Sequence, residues 1–110
     1  MSEELEMNEE QHTAFAIISQ VGAAKSLYME IIQLCEQRKF NNIDKLMEEA
    51  ESYLIAGHKE HTKLVQKEAQ GNIGQYSLLL VHAEDQLMNA ETLKFIAQKF
   101  IHLYKEELKQ

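Results

Sequence analysis

The stretch SLLLVHAEDQLM, residues 77–88, combines apolar residues at helical spacing with a histidine and an aspartate three positions apart. Because positions three or four apart lie on the same side of an α-helix, the His82 imidazole and the Asp85 carboxylate are neighbours. Asn89 and Thr92 extend the same polar row. A buried polar group without a partner costs ~1–3 kcal/mol, so a polar row on an apolar helix requires an explanation.

Two explanations of this row are open at the level of the residues. A lone histidine on an apolar face is usually a hydrogen-bonded core residue of a helical bundle. An aspartate in register with the imidazole instead favours phosphoryl, proton or metal chemistry, because the pair combines a titrating nucleophile with a carboxylate.

Composition indicates one all-α domain. The chain has 110 residues, a usual size for a single domain, and its 45% hydrophobic and 26% charged residues are typical of a globular protein. With no proline and only four glycines, the sequence has few helix breakers. Segments with strand-like patterning are missing as well, so we expect long helices.

Charge and cysteine content exclude several classes of protein. A net charge of −7 argues against nucleic-acid binding. Cys35 is the only cysteine, so no intrachain disulfide can form, and its position at the end of a helix indicates packing, not a nucleophile. The acidic N-terminus does not resemble a signal peptide, and no apolar stretch approaches the roughly 18 residues of a membrane span. These features predict a cytoplasmic protein without membrane insertion.

The apolar pattern predicts three helices of similar length, at about residues 9–37, 43–70 and 76–108. They follow a mobile acidic arm, residues 1–8, and form a single domain over residues 9–110. Short connections imply an antiparallel up-down-up bundle, with Asn42 predicted to cap the second helix. The inward-facing residues are predicted to be Phe15, Ile18, Val21, Ala24, Tyr28, Ile31, Ile32 and Cys35 in the first helix and Ile43, Met47, Ala50, Leu54, Gly57, Leu64 and Val65 in the second.

The third helix has more apolar surface than two neighbouring helices would cover. The simplest way to bury the excess is self-association of this helix around a symmetry axis. Such an assembly would place His82, Asp85, Asn89 and Thr92 inside the oligomer, where the polar row becomes a site shared between subunits.

Four stretches make the chain similar to a known family: FAIISQVGAAKSLYMEII, EEAES, HKEHTKLVQKEA and above all SLLLVHAEDQLMNAETLK. The family is the enzyme IIA component of the lactose/cellobiose (and diacetylchitobiose) branch of the bacterial phosphoenolpyruvate-dependent sugar phosphotransferase system. Its form of the last stretch reads close to SLLLVHAQDHLM. The resemblance covers nearly the whole chain.

The resemblance implies a cytoplasmic homotrimer of three-helix subunits, a nine-helix assembly. His82 is then the residue that accepts a phosphoryl group from the histidine-containing phosphocarrier protein and passes it to a cysteine of the cognate enzyme IIB. Asp85, one from each of three subunits, would surround a divalent cation, usually magnesium, on the trimer axis. No small molecule would be bound in a deep pocket.

Three positions differ from the family pattern. Glu84 stands where glutamine is usual and points almost opposite to His82. Gln86 replaces a usual histidine and lies close enough to His82 to support it. His61 stands where the family has glutamine, on the seam side of the second helix, from which it could approach His82 as a second supporting residue. His58 and His61 also have metal-ligand spacing, although isolated pairs of this kind are usually surface residues.

Two other functions compete with the phosphocarrier. A histidine phosphotransfer domain of a two-component relay is also helical, but it would place lysine and glycine just after the histidine, where this chain has Ala83, Glu84 and Asp85. A structural oligomerisation module would use the polar row only to fix register and oligomeric state.

Overall fold

Three antiparallel helices make up the protein in the computed structural model, which describes residues 6–72 and 77–109. They are α1 (Glu9–Glu36), α2 (Ile43–Ala69) and α3 (Leu78–Leu108), and no strand occurs within the described ranges. Lys67 near the end of α2 pairs with Glu9 at the start of α1, while Arg38 just after α1 pairs with Glu107 at the end of α3. These contacts confirm the predicted three-helix, up-down-up arrangement.

Both ends of α1 are fixed by hydrogen bonds that its sequence supplies. Asn8 accepts from the Gln11 amide at 2.8 Å, and the Gln11 side chain accepts from the Asn8 amide at 2.9 Å, which forms a capping box. Asn8, the last residue of the predicted mobile arm, is therefore the N-cap of α1. Residues 1–5 of that arm lie outside the described residues, so the arm itself stays a prediction.

α1 ends in a Schellman motif with an unusual residue in its left-handed position. Arg38 has a φ of 57°, while its amide donates to the Cys35 carbonyl and the Lys39 amide donates to the Leu34 carbonyl. Glycine is the ordinary choice here. The Arg38 side chain offsets the backbone cost, because its guanidinium pairs with Glu107 at 2.8 Å and lies 5.4 Å from the Tyr104 ring centre.

The ends of α2 differ from the expectation at one point. The prediction that Asn42 caps α2 with its side chain is wrong, because this side chain makes no cap hydrogen bond within the described part of the chain. The Asn42 carbonyl accepts from the Leu46 amide at 3.0 Å. Gly71, with a φ of 74°, closes the other end by donating to the Glu68 carbonyl. Gly71 therefore has a definite role as the left-handed residue after the helix.

α1 lies between the other two helices and supplies the largest share of the core. One face of it is fully buried: Ala14, Ile17, Val21, Ala24, Tyr28, Ile31 and Cys35. The inward position predicted for Phe15 is wrong, since 49% of it is exposed, and Val65 in α2 is likewise 51% exposed. Both residues have the helical spacing of the buried residues, but they lie outside the part of the helix surface that neighbouring helices cover.

α2 and α3 meet mainly through charged side chains. Lys94 pairs with Glu51 at 3.0 Å, Lys105 approaches Asp44 at 4.0 Å, and His58 pairs with Glu91. Apolar packing joins each of these helices to α1 instead. The seam between α2 and α3 is therefore a row of partly exposed polar contacts, in which each lysine–carboxylate pair is worth less than about 1 kcal/mol.

Among the described residues, one helix is long and apolar enough to cross a membrane by length and composition alone, and it is α1, Glu9–Glu36. The expectation that no stretch would do so is therefore wrong. A central helix that packs against neighbours on two sides needs apolar residues over a wide arc. The core helix of a soluble protein passes the same test, so the finding is weak evidence for a membrane.

Candidate functional site

His82 lies in the second turn of α3 with an exposed side chain. The helix begins with Ser77 as its N-cap, whose hydroxyl accepts from the Leu80 amide at 3.1 Å. Ala83 and Leu87 are fully buried against α1, and they fix the rotation of the helix. His82 points away from this buried arc, so it is not a core histidine.

The polar row predicted from the sequence occupies the outer face of α3. Asp85, Asn89 and Thr92 are all exposed, and the Thr92 hydroxyl donates to the Met88 carbonyl at 3.2 Å. Large apolar side chains surround the row on the same face and are also exposed: Leu78, Val81, Met88, Phe95, Ile96 and Leu103. The apolar excess predicted for this helix is therefore real, and within one chain it remains uncovered.

Gln86 is held by a residue that sequence reasoning missed. The Lys25 ammonium, on α1, donates to the Gln86 side-chain oxygen at 2.8 Å in a partly buried contact. Gln86 follows His82 by one helical turn and points about 40° away from it. Sixty-one positions separate Lys25 from Gln86, so no local pattern in the sequence could have brought the two together.

His61 lies on the seam side of α2 and faces α3 within one chain. Its Nε2 atom is 3.5 Å from a carboxylate oxygen of Glu84, on the seam between α2 and α3. Glu84 and His82 point in directions about 160° apart on α3. Within one chain, His61 therefore contributes to the seam between the helices and does not approach His82.

The remaining candidates serve packing or the surface. His58 pairs with Glu91, while His12 and His102 are exposed. Within residues 6–72 and 77–109 of one chain, no group of three or more His, Cys, Asp or Glu could hold a metal ion. Cys35 is fully buried, and burial raises the pKa of its thiol against the opposing effect of Lys105. A thiol with a raised pKa is a poor nucleophile.

The sequence profile described as "PTS system, Lactose/Cellobiose specific IIA subunit" matches residues 12–105. The chain belongs to this family. This IIA subunit is 37% identical over 105 residues to the lichenan-specific phosphotransferase enzyme IIA component of Bacillus subtilis (strain 168), with 94% of this chain and 96% of the relative covered. It is 32% identical over 99 residues to the lactose-specific EIIA component of Staphylococcus epidermidis, covering 90% and 95% respectively.

A solved structure shares the fold of the IIA subunit over almost its whole length. The PTS cellobiose-specific enzyme IIA from Bacillus anthracis superimposes with a TM-score of 0.90 at 37% identity, and 96% of each chain is covered. The IIA subunit is therefore a phosphotransferase component and acts as a phosphocarrier of a sugar phosphotransferase system.

Proposed function

We propose that the protein is a cytoplasmic phosphocarrier that accepts a phosphoryl group on His82 from the histidine-containing phosphocarrier protein. It then passes the group to a cysteine of the cognate enzyme IIB during lactose/cellobiose-type sugar uptake. One observation carries the residue assignment. His82 is exposed on the outer face of α3 and makes no hydrogen bond or ion pair with the described residues, so its imidazole is free to react.

The transfer needs only an unprotonated ring nitrogen and an in-line approach. The lone pair of a His82 nitrogen forms a bond to phosphorus while the N–P bond of the donor histidine breaks, and the electron pair returns to the donor ring. The same exchange toward a cysteine thiolate forms a P–S bond and restores the free imidazole. No net oxidation occurs, and an imidazole nitrogen can act both as the nucleophile and as the leaving group of such an exchange.

The start of α3 favours the phosphorylated state. Side chains on a helix lean toward its N-terminus, so the His82 ring is directed toward the first turn. There Ser77 accepts from the Leu80 amide, whereas the amides of Leu78 and Leu79 precede the first intrahelical hydrogen bonds. Unpaired amides and the helix dipole favour a nearby anion.

We also propose that three copies associate through the outer face of α3. Leu78 is 85% exposed, Phe95 58% and Leu103 63%, in a helix whose opposite side is completely buried. Contiguous apolar surface of this kind is characteristic of interaction sites. Packing it around a three-fold axis would cover the apolar residues and bring three Asp85 carboxylates together.

A divalent cation, expected to be Mg²⁺, would neutralise these carboxylates. Asp85 is exposed and forms no ion pair with the described residues, so its oxygens remain available as hard ligands. One carboxylate is too few for a stable site, and within the described ranges of one chain no group of three or more His, Cys, Asp or Glu could hold a metal ion. The donor set fits the ion only when three subunits each contribute Asp85. We assign the cation a structural role, since like charges that converge without it would repel.

The assignment of His82 is tested by phosphorylation with phosphoenolpyruvate, enzyme I and the phosphocarrier protein. We expect an acid-labile, base-stable adduct that is absent in His82→Ala and present in the control His102→Ala, which removes another exposed histidine of α3. Absence of label in the wild type, or label that survives in His82→Ala, would refute the assignment. An unlabelled protein that still forms trimers would instead be the structural oligomerisation module.

The assembly is tested separately by analytical ultracentrifugation. We expect the wild type to sediment as a trimer, and Asp85→Leu to remain trimeric or to associate more tightly, because leucine replaces repulsion with apolar burial. Exhaustive chelation should weaken the wild-type trimer and leave the variant unchanged. A monomeric wild type would refute the trimer, and a trimer indifferent to chelation would show that the cation is dispensable.

A further inference from the structure

We propose that Lys25 binds the phosphoryl group on His82 and that Gln86 holds the lysine in place for this role. The inference rests on the proposed function, because it assumes that His82 is the phosphorylated residue. It assigns the positive charge that the site needs to a particular side chain on a different helix. It follows from the contact between Lys25 and Gln86 and from the distribution of charges around α3.

The position of the ammonium follows from the contact with Gln86. Lys25 Nζ donates to Gln86 Oε1 at 2.8 Å, so it lies beside α3 one turn beyond His82. Residues separated by four positions on a helix have Cβ atoms about 6 Å apart. The flexible four-carbon stem of lysine can move its charge over such a distance. The Lys25 ammonium and the His82 ring are therefore on the same side of α3, the side that also carries Gln86.

The charge of Lys25 is not neutralised by a carboxylate among the described residues. Two lysines of α3 are paired with carboxylates of α2, Lys94 with Glu51 and Lys105 with Asp44. Lys25 donates instead to a neutral amide. An ammonium has three N–H donors, so two remain for a new acceptor. The partly buried Lys25 ammonium, whose partner Gln86 is neutral, can therefore bind an anion.

The phosphorylated site has a need for such a cation. A phosphoryl group adds about −1.5 to −2 charges at neutral pH. It would do so one turn from Asp85, in a chain with a net charge of −7. A charge-assisted hydrogen bond from Lys25 would offset this repulsion.

Space for the approach exists on this flank. An open groove lies along α1 beside Gln86, lined by Gly22, Lys25, Ser26, Met29, Gln33 and one carboxylate residue, Glu30, which forms no ion pair with Lys25. A Cβ atom built on Gly22 would meet nothing within 4 Å. Open space therefore lies beside Lys25 on this side of α1.

The proposal is tested with potassium phosphoramidate, a small donor that needs no partner protein. Its P–N bond breaks and ammonia leaves as the N–P bond to His82 forms. The second-order rate constant of phosphorylation and the ³¹P chemical shift of the adduct are measured for the wild type, Lys25→Gln and Lys25→Arg. The matched control is Lys45→Gln, which removes an exposed lysine of α2. Thermal unfolding of each unmodified protein is recorded in parallel.

We expect Lys25→Gln to react about tenfold more slowly, which is the rate effect typical of losing one charge-assisted hydrogen bond. We also expect the ³¹P resonance of its adduct to shift. Lys25→Arg should recover most of the rate, and Lys45→Gln should match the wild type. Equal rates for Lys25→Gln and Lys45→Gln, with His82 labelled, would overturn this inference and leave the proposed function intact. The inference would also be overturned if Lys25→Gln reacted slowly but unfolded at a lower temperature than the wild type, and Lys25→Arg did not recover the rate. A wild type that is not labelled on His82 would instead count against the proposed function.

Discussion

At Gly57, α2 leaves no room for a side chain against α1, and Gly57→Ala tests that contact. A Cβ atom built on Gly57 would lie 2.6 Å from Val21 Cγ1, and 3.8 Å from both Gln20 Cβ and Leu87 Cδ1. Two carbon atoms prefer a separation of about 3.5–4.0 Å, so the first distance is short by about 1 Å. The residue that must yield is Val21, which is completely buried and, as a β-branched residue in a helix, has essentially one rotamer.

The magnitude follows from two opposing terms. Overpacking of a well-packed core costs ~1–3 kcal/mol. Replacing glycine with alanine inside a helix returns ~0.5–1 kcal/mol. Gly57→Ala should therefore lower the free energy of unfolding by ~0–2.5 kcal/mol. Gly22→Ala is the matched control, because this helical glycine has open space around its Cβ position and should raise the free energy of unfolding by ~0.5–1 kcal/mol.

Urea unfolding followed by circular dichroism, at one fixed protein concentration, measures both variants against the wild type. Adding Val21→Ala should remove the clash, so that Gly57→Ala becomes neutral or stabilising in that background. A Gly57→Ala protein as stable as Gly22→Ala would refute the close approach of the two helices. Destabilisation of equal size in the presence and absence of Val21→Ala would refute Val21 as the obstructing residue.

Three further predictions concern the core and the first helix. Tyr28→Phe should leave stability unchanged or raise it by up to ~1–3 kcal/mol in thermal unfolding, because the buried Tyr28 hydroxyl has no hydrogen-bond partner in the described structure. Burial, aided by Glu51, raises the pKa of Tyr28 to about 12, so the folded state favours the neutral phenol. The free energy of unfolding should therefore be constant below the unfolded-state pKa of about 10 and fall as the pH rises toward 12. Tyr28→Phe should lose less stability over this pH range. Cys35 should react with a thiol reagent only after unfolding, and rapid labelling of the native protein would contradict its burial. Asn8→Ala should cost ~1 kcal/mol in urea unfolding by removing the capping box, and no change would show that the cap is dispensable.

The helices and the candidate nucleophile were accessible from sequence because they depend on local patterns. Apolar spacing determines where α1, α2 and α3 lie, and Ser77 marks the start of α3 by the ordinary preference of helix N-caps. The same spacing places His82 and Asp85 on one side of α3, away from Ala83 and Leu87. A period of 3.6 residues fixes these relations before any tertiary contact forms.

Relations between helices could not be obtained in this way. Within one chain His61 faces Glu84, and Gln86 contacts Lys25, which no pattern singled out. Helical periodicity gives the direction of a side chain from its own axis but not the rotation and height of the neighbouring helix. Those quantities depend on how the buried faces interlock, as at Gly57 and Val21.

The sequence by itself therefore determined an all-α chain with an imidazole and a carboxylate together on the apolar third helix, because both results follow from the repeat of one helix. The tertiary structure decided that this face is uncovered within one chain and that a lysine of α1, Lys25, contacts Gln86 on α3. Both results depend on which face of each helix is buried against the other two helices. Only the assembled bundle specifies those faces.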